Sequence, residues 1–129
     1  MLFRQDTIVQ LEAEGGIPSV RINANCASST YEIDLENKDL KGFTTIATPN
    51  QLNVPISIND GGVRSVDDVR GRRVFWKIGL ALTSMNNPAS VPFEVVIEQN
   101  RTELAGGIHV NLNFGNSTAG IANGFITLV

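Results

Sequence analysis

The chain has few of the residues that metal binding and disulfide formation require. Of its 129 residues, one is histidine and one is cysteine. A metal-dependent cupin site needs several histidines that converge inside a barrel, so this composition excludes such a site. Cys26 has no second cysteine to pair with, and the fold therefore does not depend on disulfides within the chain. We expect no bound metal and no cofactor.

Strong charge of either sign and long hydrophobic runs are also lacking. The formal net charge is -3, and 18% of the residues are charged. Nucleic-acid-binding domains are normally strongly basic, so nucleic acid is not an expected partner of the whole surface. No apolar run is long enough to span a membrane, and residues 1–8 lack the basic start and apolar stretch of a secretory signal. Neither a membrane span nor signal-directed export is predicted, and we expect cytoplasmic synthesis.

Motifs that would identify an enzyme are missing as well. Gly61-Gly62 and Gly106-Gly107 lack the lysine and the Ser or Thr of a phosphate-binding loop. The chain has no Gly-x-Ser-x-Gly elbow, as a serine hydrolase of the α/β type would have. A glycosidase needs two carboxylates across a cleft, and many acidic pairs fit that description equally well. We therefore predict that the chain is not an enzyme.

Two weaker chemical possibilities concern the cysteine and a group of aspartates. A thiol mechanism needs Cys26 beside His109, but the alternation places Cys26 on the core side of its strand and His109 on the outer side. A buried thiol and a surface imidazole are the favoured interpretation. Asp60, Asp67 and Asp68 offer oxygen ligands for calcium, yet their spacing matches no ligand loop. Solvated turns and local ion pairs are favoured for these acids.

The pattern that the chain does have is alternation with a period of two residues. In Gly107–Phe114, apolar side chains alternate with His109, Asn111 and Asn113, as in a strand with one buried face. Similar stripes occur at 3–11, 17–26, 30–35, 43–48, 52–58, 74–82, 93–97 and 121–129. Pro55 predicts an edge strand or a bulge. The irregular residues 63–73 predict an ordered loop rather than a helix.

These segments predict an all-β fold in one domain spanning residues 1–129. About eight or nine strands joined by turn clusters, with no helical period, are typical of an antiparallel β-sandwich or a small barrel. We predict the sandwich, which is jelly-roll-like in its number of strands. Trp76 lies within the longest apolar stripe and is predicted to belong to the core.

The strongest local concentration of charge lies in residues 63–73. Arg64, Arg70, Arg72 and Arg73 occur there beside only two acids. The planar guanidinium group suits carboxylates and phosphates at interfaces, so one interpretation is a subunit-docking segment that contacts an acidic neighbour. The other is pairing with the aspartates of the same loop, which adds little stability.

Uncharged polar side chains dominate the predicted outer surface, and lysine is scarce. The lysines are Lys38, Lys41 and Lys77. The asparagines that stand out are Asn23, Asn25, Asn53, Asn59, Asn86, Asn87, Asn111, Asn113, Asn116 and Asn123. Exposed monomers use lysine to keep sheet edges from pairing, whereas assembled surfaces are poor in it. The composition therefore predicts a homo-oligomer or a larger protein assembly.

Side-chain amides also suit glycans, because they both donate to and accept from hydroxyl groups. The loop residues Asn86, Asn87, Asn100 and Asn116 are the candidate glycan-binding positions of a carbohydrate-binding module or lectin. The single Trp and single Tyr argue against stacking on sugar rings. Residues 100–102 also match the N-glycosylation pattern, but a turn after the preceding strand is the favoured interpretation.

The combined prediction is a non-enzymatic, self-assembling structural subunit with a β-sandwich fold. Capsid, decoration and appendage proteins of viruses and phages are examples, and a location in a virion would follow. The step from sandwich to virion is an analogy with known uses of such folds. A carbohydrate-binding module or lectin is the alternative.

Overall fold

The computed structural model describes residues 1–48, 51–82 and 90–129, in which strands are the main regular structure. The strands are β1 (Leu2–Arg4), β2 (Thr7–Val9), β3 (Ser19–Ala24), β4 (Ala27–Glu36), β5 (Phe43–Ala47), β6 (Ile56–Ser57), β7 (Arg73–Ala81), β8 (Ser90–Gln99), β9 (Thr102–Glu103), β10 (Ile108–Asn113) and β11 (Ala119–Leu128). A single turn of 3-10 helix spans Val66–Asp68. No helix within these ranges is long and apolar enough to cross a bilayer.

The strands form two packed sheets, which confirms the predicted all-β sandwich. Sheet A has the order β1-β11-β7-β4-β5, and β2 also pairs with β11. Sheet B has the order β10-β8-β3-β6, and β9 pairs with β8. All pairs are antiparallel except those of β1 and β2 with β11, which are parallel.

The core lies between the two sheets and is built from the apolar parity of each strand. On β3, for example, Val20, Ile22 and Ala24 are buried while the residues between them are only partly buried. Trp76 is fully buried, which confirms its predicted place. Its ring lies 5.7 Å from that of Phe93, so an aromatic pair joins β7 of sheet A to β8 of sheet B.

The predicted first strand is divided into β1 and β2 by a short break. At the break, Gln5 N donates to Asn123 O at 3.2 Å, and Asp6 Oδ1 accepts from Phe125 N at 3.0 Å. Gly124 lies where the backbone of Gln5 approaches β11, and a Cβ there would overlap the Gln5 carbonyl. Hydrophobic alternation carries no information about strand direction, so the parallel pairing was not predictable from it.

Most of the stripe at 52–58 does not form a strand, and only the two residues of β6 pair with β3. Asn53 adopts a left-handed φ of 65° and donates its backbone N to Ile22 O at 2.8 Å. A turn at Asn53 therefore supplies the hydrogen bond to β3 at a place where the alternation predicts a strand. The edge position that Pro55 predicts is confirmed, because β6 is the last strand of sheet B.

Candidate functional site

Arg72, one of the four predicted docking arginines, is an internal clamp. It is 3% exposed. Its Nε donates to Glu36 O at 2.6 Å, Nη1 to Asp68 O at 2.9 Å and Nη2 to Asp60 Oδ2 at 2.6 Å. Its hydrogen bond to Asp60 holds the pKa of that carboxyl below its usual value. Because Glu36 ends β4 of sheet A and Asp60 follows β6 of sheet B, Arg72 ties the two sheets together.

The other three arginines retain some exposure and differ in their partners. Arg73 Nη2 lies 2.9 Å from Glu36 Oε2, and this contact lowers the pKa of the Glu36 carboxyl. Arg70 Nε lies 3.1 Å from Asp67 Oδ1, which is the local pairing of the alternative interpretation. Arg64 is exposed, and its side chain makes no hydrogen bond to another described residue. Docking by these three arginines stays a prediction, and Arg72 faces inward.

Of the predicted glycan-binding asparagines, Asn100 and Asn116 lie in different turns. Asn100 follows β8 and occupies a turn with a left-handed φ of 50°, so the turn predicted there is confirmed. Asn116 is exposed in the turn after β10, beyond the pair Asn113 with Ser90. The ten residues of β8 separate the two turns by about 30 Å, so they cannot line one sugar site. Asn86 and Asn87 lie outside the described residues.

Each of the aspartates considered for calcium binds another group of the chain. Asp60 binds Arg72, and Asp67 binds Arg70. Asp68 Oδ2 accepts from the backbone N of the two preceding loop residues, 64 and 65, and these bonds lower the pKa of its carboxyl. Within residues 1–48, 51–82 and 90–129, no three His, Cys, Asp or Glu side chains are grouped to hold a metal ion.

Cys26 and His109 do not form the pair that thiol chemistry requires. Cys26 is partly buried against the core, and burial raises the pKa of its thiol, which disfavours the thiolate. His109 is exposed on sheet B, and both of its ring nitrogens contact carboxylates. The predicted surface imidazole is therefore confirmed.

His109 belongs to a hydrogen-bonded row on the outer face of sheet B, which we call the polar face. Asn23, Glu94 and His109 lie side by side on β3, β8 and β10. Asn23 Nδ2 donates to Glu94 Oε2 at 2.9 Å, and Glu94 Oε1 lies 3.2 Å from His109 Nδ1. His109 Nε2 lies 2.8 Å from Glu103 Oε2 on β9. The row therefore joins four strands.

The charges of the row stabilise one another. The hydrogen bond to Glu103 is the main cause that raises the pKa of His109, and Glu94 adds to the effect. The hydrogen bond from Asn23 is the main cause that lowers the pKa of Glu94, and His109 contributes. The two carboxylates contact opposite edges of the imidazole ring. They therefore favour the protonated form of the ring between them and do not converge with it on one ion.

Two shallow depressions meet at Glu94 and Pro92 on the polar face. The first has a volume of about 400 Å³ and is lined by Asn23, Ala24, Asn25, Asn53, Pro92 and Glu94. The second has a volume of about 310 Å³ and is lined by Pro92, Phe93, Glu94, His109, Val110 and Asn111. Amide and carboxylate groups at such a surface can bind hydroxyl groups of a ligand.

The outer face of sheet A has a different character, and we call it the aromatic face. The ring of Phe125 lies 5.1 Å from that of Phe75 and 5.8 Å from that of Phe43. The guanidinium of Arg73 lies 4.8 Å from the Phe125 ring, and that of Arg4 lies 5.4 Å from it. Cation–π contacts of this kind are worth about 0.5–1 kcal/mol at exposed sites. The arginines cover part of the aromatic surface.

Aliphatic side chains at the margin of the aromatic face remain uncovered. Leu2 is 78% exposed, Ile8 65% and Ile121 42%. Leu2 lies beside Ile121, and Ile8 lies beside Thr127, on the two short strands that pair with β11. Leu2 and Ile121 are neighbours, and Ile8 lies about 20 Å away toward the other end of β11. Several exposed apolar side chains on one sheet face favour a surface that binds other molecules. We call Leu2, Ile8 and Ile121 the aliphatic rim.

The sequence contains a partial signal for each of these two faces. Phe75 and Phe125 stand out of step with the buried stripes of their strands, and an aromatic residue at an outer position points to a functional surface. The row on the polar face gives a weaker signal. Glu94 and His109 each occupy an outer position, but their contact depends on the register of β8 and β10, which the sequence does not show.

Comparison of the chain with known proteins found no similar protein. No family model matches it, no curated protein matches it, and no solved structure matches it. The function must therefore be inferred from the surfaces of the sandwich.

Proposed function

We propose that this chain is a non-enzymatic structural subunit that assembles with further copies of itself, as capsid, decoration and appendage proteins of viruses and phages do. The observation that carries the proposal is the aliphatic rim. Its three side chains are 42–78% exposed on one face of the sandwich, beside three phenylalanines. Covering this apolar surface would contribute about 25 cal/mol for each Å² removed from water.

The charges around the rim favour a second copy as the occupant of this face. Arg4 pairs with Asp6 at 3.5 Å, and Lys77 lies beside Glu32 in the sheet register. Both signs are therefore interspersed, whereas a dedicated site for a polyanion or a polycation would carry one sign. A two-fold rotation can bring a basic group of one copy opposite an acidic group of the other. Scarcity of lysine supports the same conclusion.

Replacement of Ile121 by lysine tests this proposal. A charge at Ile121 should strongly weaken association through this face, because it would have to be buried at the interface. Asn116→Lys is the matched control, since it adds the same charge in the exposed turn between β10 and β11, outside the aliphatic rim. Sedimentation velocity measures the distribution of assembled species, and negative-stain electron microscopy shows their form. Association of Ile121→Lys at wild-type strength would contradict the proposed use of this face.

A second candidate function is glycan binding, which the depressions beside Glu94 favour. The amides of Asn23, Asn25 and Asn53 surround the first depression, where the ring of Pro92 adds an apolar wall. A glycan array would test the candidate with the wild type, Asn25→Ala and Asn116→Ala. Binding that is lost in Asn25→Ala and kept in Asn116→Ala would support it. The absence of any bound glycan would count against it.

A further inference from the structure

Strand β10 forms an edge of sheet B on which the described part of the chain places none of the usual protection against pairing. Sheet edges are normally blocked by lysine, proline, a bulge or short length. The edge strand β6 has two residues and follows Pro55, the β1–β2 edge is interrupted at residues 5–6, and the pairing of β5 contains a register shift. Strand β10 has six residues in regular register, without lysine or proline.

The hydrogen bonds of neighbouring strands show which backbone groups of β10 point away from the sheet. On β3, Ile22 O accepts from Asn53 on the β6 side, so the odd-numbered residues of β3 bond to β8. On β8, Ile97 O accepts from Leu104 N at 2.8 Å, so its odd-numbered residues bond toward β9 and β10. The register places these odd-numbered residues of β8 opposite Ile108, Val110 and Leu112 of β10. The N–H and C=O groups of these three residues therefore face β8, and those of the residues between them face away.

The outward groups of β10 are therefore those of His109, Asn111 and Asn113. Within residues 1–48, 51–82 and 90–129, none of their backbone groups bonds to another element. On the core side of the strand, Val110 is only partly buried, whereas its neighbours Ile108 and Leu112 are almost fully buried. The edge thus presents unpaired backbone together with an incompletely covered apolar side chain.

We propose that β10 pairs antiparallel with β10 of a second copy, about a two-fold axis that passes beside Asn111. This pairing rests on the proposed self-assembly and is one of the contacts through which copies of the chain would associate. Sheet B would then continue across the two copies as one sheet. Addition of a strand at an open edge is a common mode of recognition, because main-chain hydrogen bonds provide the attraction.

The pattern of side chains selects this register. Asn111 pairs with Asn111 of the second copy, and His109 pairs with Asn113 on either side of the axis. Each of these three pairs exchanges two hydrogen bonds. Val110 then packs beside Leu112 of the second copy, and no like charges face one another. A shift by two residues would place either Asn113 opposite Gly107 or His109 opposite Gly115, and both glycines lie outside the strand.

Engineered cysteines in a Cys26→Ser background test the register directly. In the proposed dimer the two Asn111 Cα atoms lie about 5.5 Å apart, within the range of a disulfide. The two Asn113 positions are offset by about 13 Å along the strands, beyond that range. Under mild oxidation, Asn111→Cys should form a covalent dimer on a non-reducing gel, and Asn113→Cys should not. Equal crosslinking of both variants, or none of either, would overturn the proposed register.

Asn111→Pro tests whether the open backbone itself drives association. Proline removes an N–H that points away from β8, so the fold should persist while pairing of the two edges fails. Asn111→Thr keeps the N–H and should associate like the wild type in sedimentation velocity. If circular dichroism shows that Asn111→Pro is unfolded, Asn111→Lys replaces it, because two ammonium groups would then meet at the axis. Weaker association of the folded variant than of the wild type supports the proposal.

The possible failures are distinguishable. A wild-type protein that associates as strongly as folded Asn111→Pro or Asn111→Lys overturns the edge pairing and leaves self-assembly through the aromatic face intact. A wild-type protein that is monomeric overturns the proposed function, and the edge pairing with it.

Discussion

The two outer faces of the sandwich follow the same alternation and have opposite chemistry. On the aromatic face, phenylalanine rings stack under arginines while Leu2, Ile8 and Ile121 remain in water. On the polar face, Glu94 and His109 are saturated by hydrogen bonds to their neighbours. Removal of the apolar side chains of the first face from water would be favourable, whereas Glu94 and His109 on the second face are paired within the chain. The two faces of the sandwich can therefore be assigned different roles from the residues at their outer positions.

The clamp between the two sheets should give the largest effect on stability. Arg72→Ala removes a nearly fully buried guanidinium group and its three hydrogen bonds, to Glu36 O, Asp68 O and Asp60 Oδ2. We expect the free energy of unfolding to fall by about 2–4 kcal/mol, because the two backbone carbonyls lose their charged donor. Chemical denaturation measures the change. Arg64→Ala is the control, because its side chain is exposed, and it should change stability by less than about 0.5 kcal/mol.

If Arg72→Ala were as stable as Arg64→Ala, the clamp would contribute nothing and the sheets would be joined by their core alone. The four arginines would then be equivalent surface charges, as the sequence alone suggests.

The aromatic face should contribute a moderate amount to stability. Phe125→Ala removes contacts with two rings and two guanidinium groups, and we expect a loss of about 2 kcal/mol in the free energy of unfolding. Thr127→Ala, on the same face of β11, is the control and should cost less. Equal losses in the two variants would show that the ring cluster adds nothing beyond ordinary surface contacts.

The polar face should have the smallest effect, and it should depend on pH. The pKa of His109 is raised in the folded protein, so the protonated ring stabilises the fold below its ordinary value of about 6.5, and this contribution is lost as pH rises through the raised pKa. The contacts of His109 with Glu94 and Glu103 are exposed to solvent, so they change the free energy of unfolding by less than about 1 kcal/mol.

Chemical denaturation of the wild type and of His109→Gln, at pH values from below about 6.5 to above the raised pKa of His109, measures how the free energy of unfolding depends on pH. The stability of the wild type should fall with rising pH, and that of His109→Gln should fall less. Asn113→Ala, which leaves the row intact, should behave like the wild type. Identical pH profiles for the wild type and His109→Gln would show that the row does not couple to folding.

The fold was predictable from the sequence wherever one parity of a strand is apolar. The stripes through Val20 and Ile22, Trp76 and Ile78, or Ile108 and Leu112 all became buried faces of strands. The prediction failed at 52–58, because Asn53 holds a turn where apolar residues happen to alternate: its backbone N donates to Ile22 O, and its side-chain Oδ1 accepts from Ala24 N at 3.3 Å. Side-chain to backbone bonds of this kind compete with strand pairing and leave no periodic signal.

The candidate sites were less predictable, because they depend on which strands are neighbours. Four arginines close in sequence look alike, yet Arg72 turns inward because Asp60 and the end of β4 converge on it. Asn100 and Asn116 look like members of one polar surface, but β8 places them at opposite ends. Strand order and register decide such contacts, and alternation determines neither.

Sedimentation velocity of the wild-type protein over a wide range of concentrations tests self-association most directly. We predict a discrete oligomer or a larger assembly, whose share increases with protein concentration. A single species with the 13.9 kDa mass of one chain at every concentration would contradict the account.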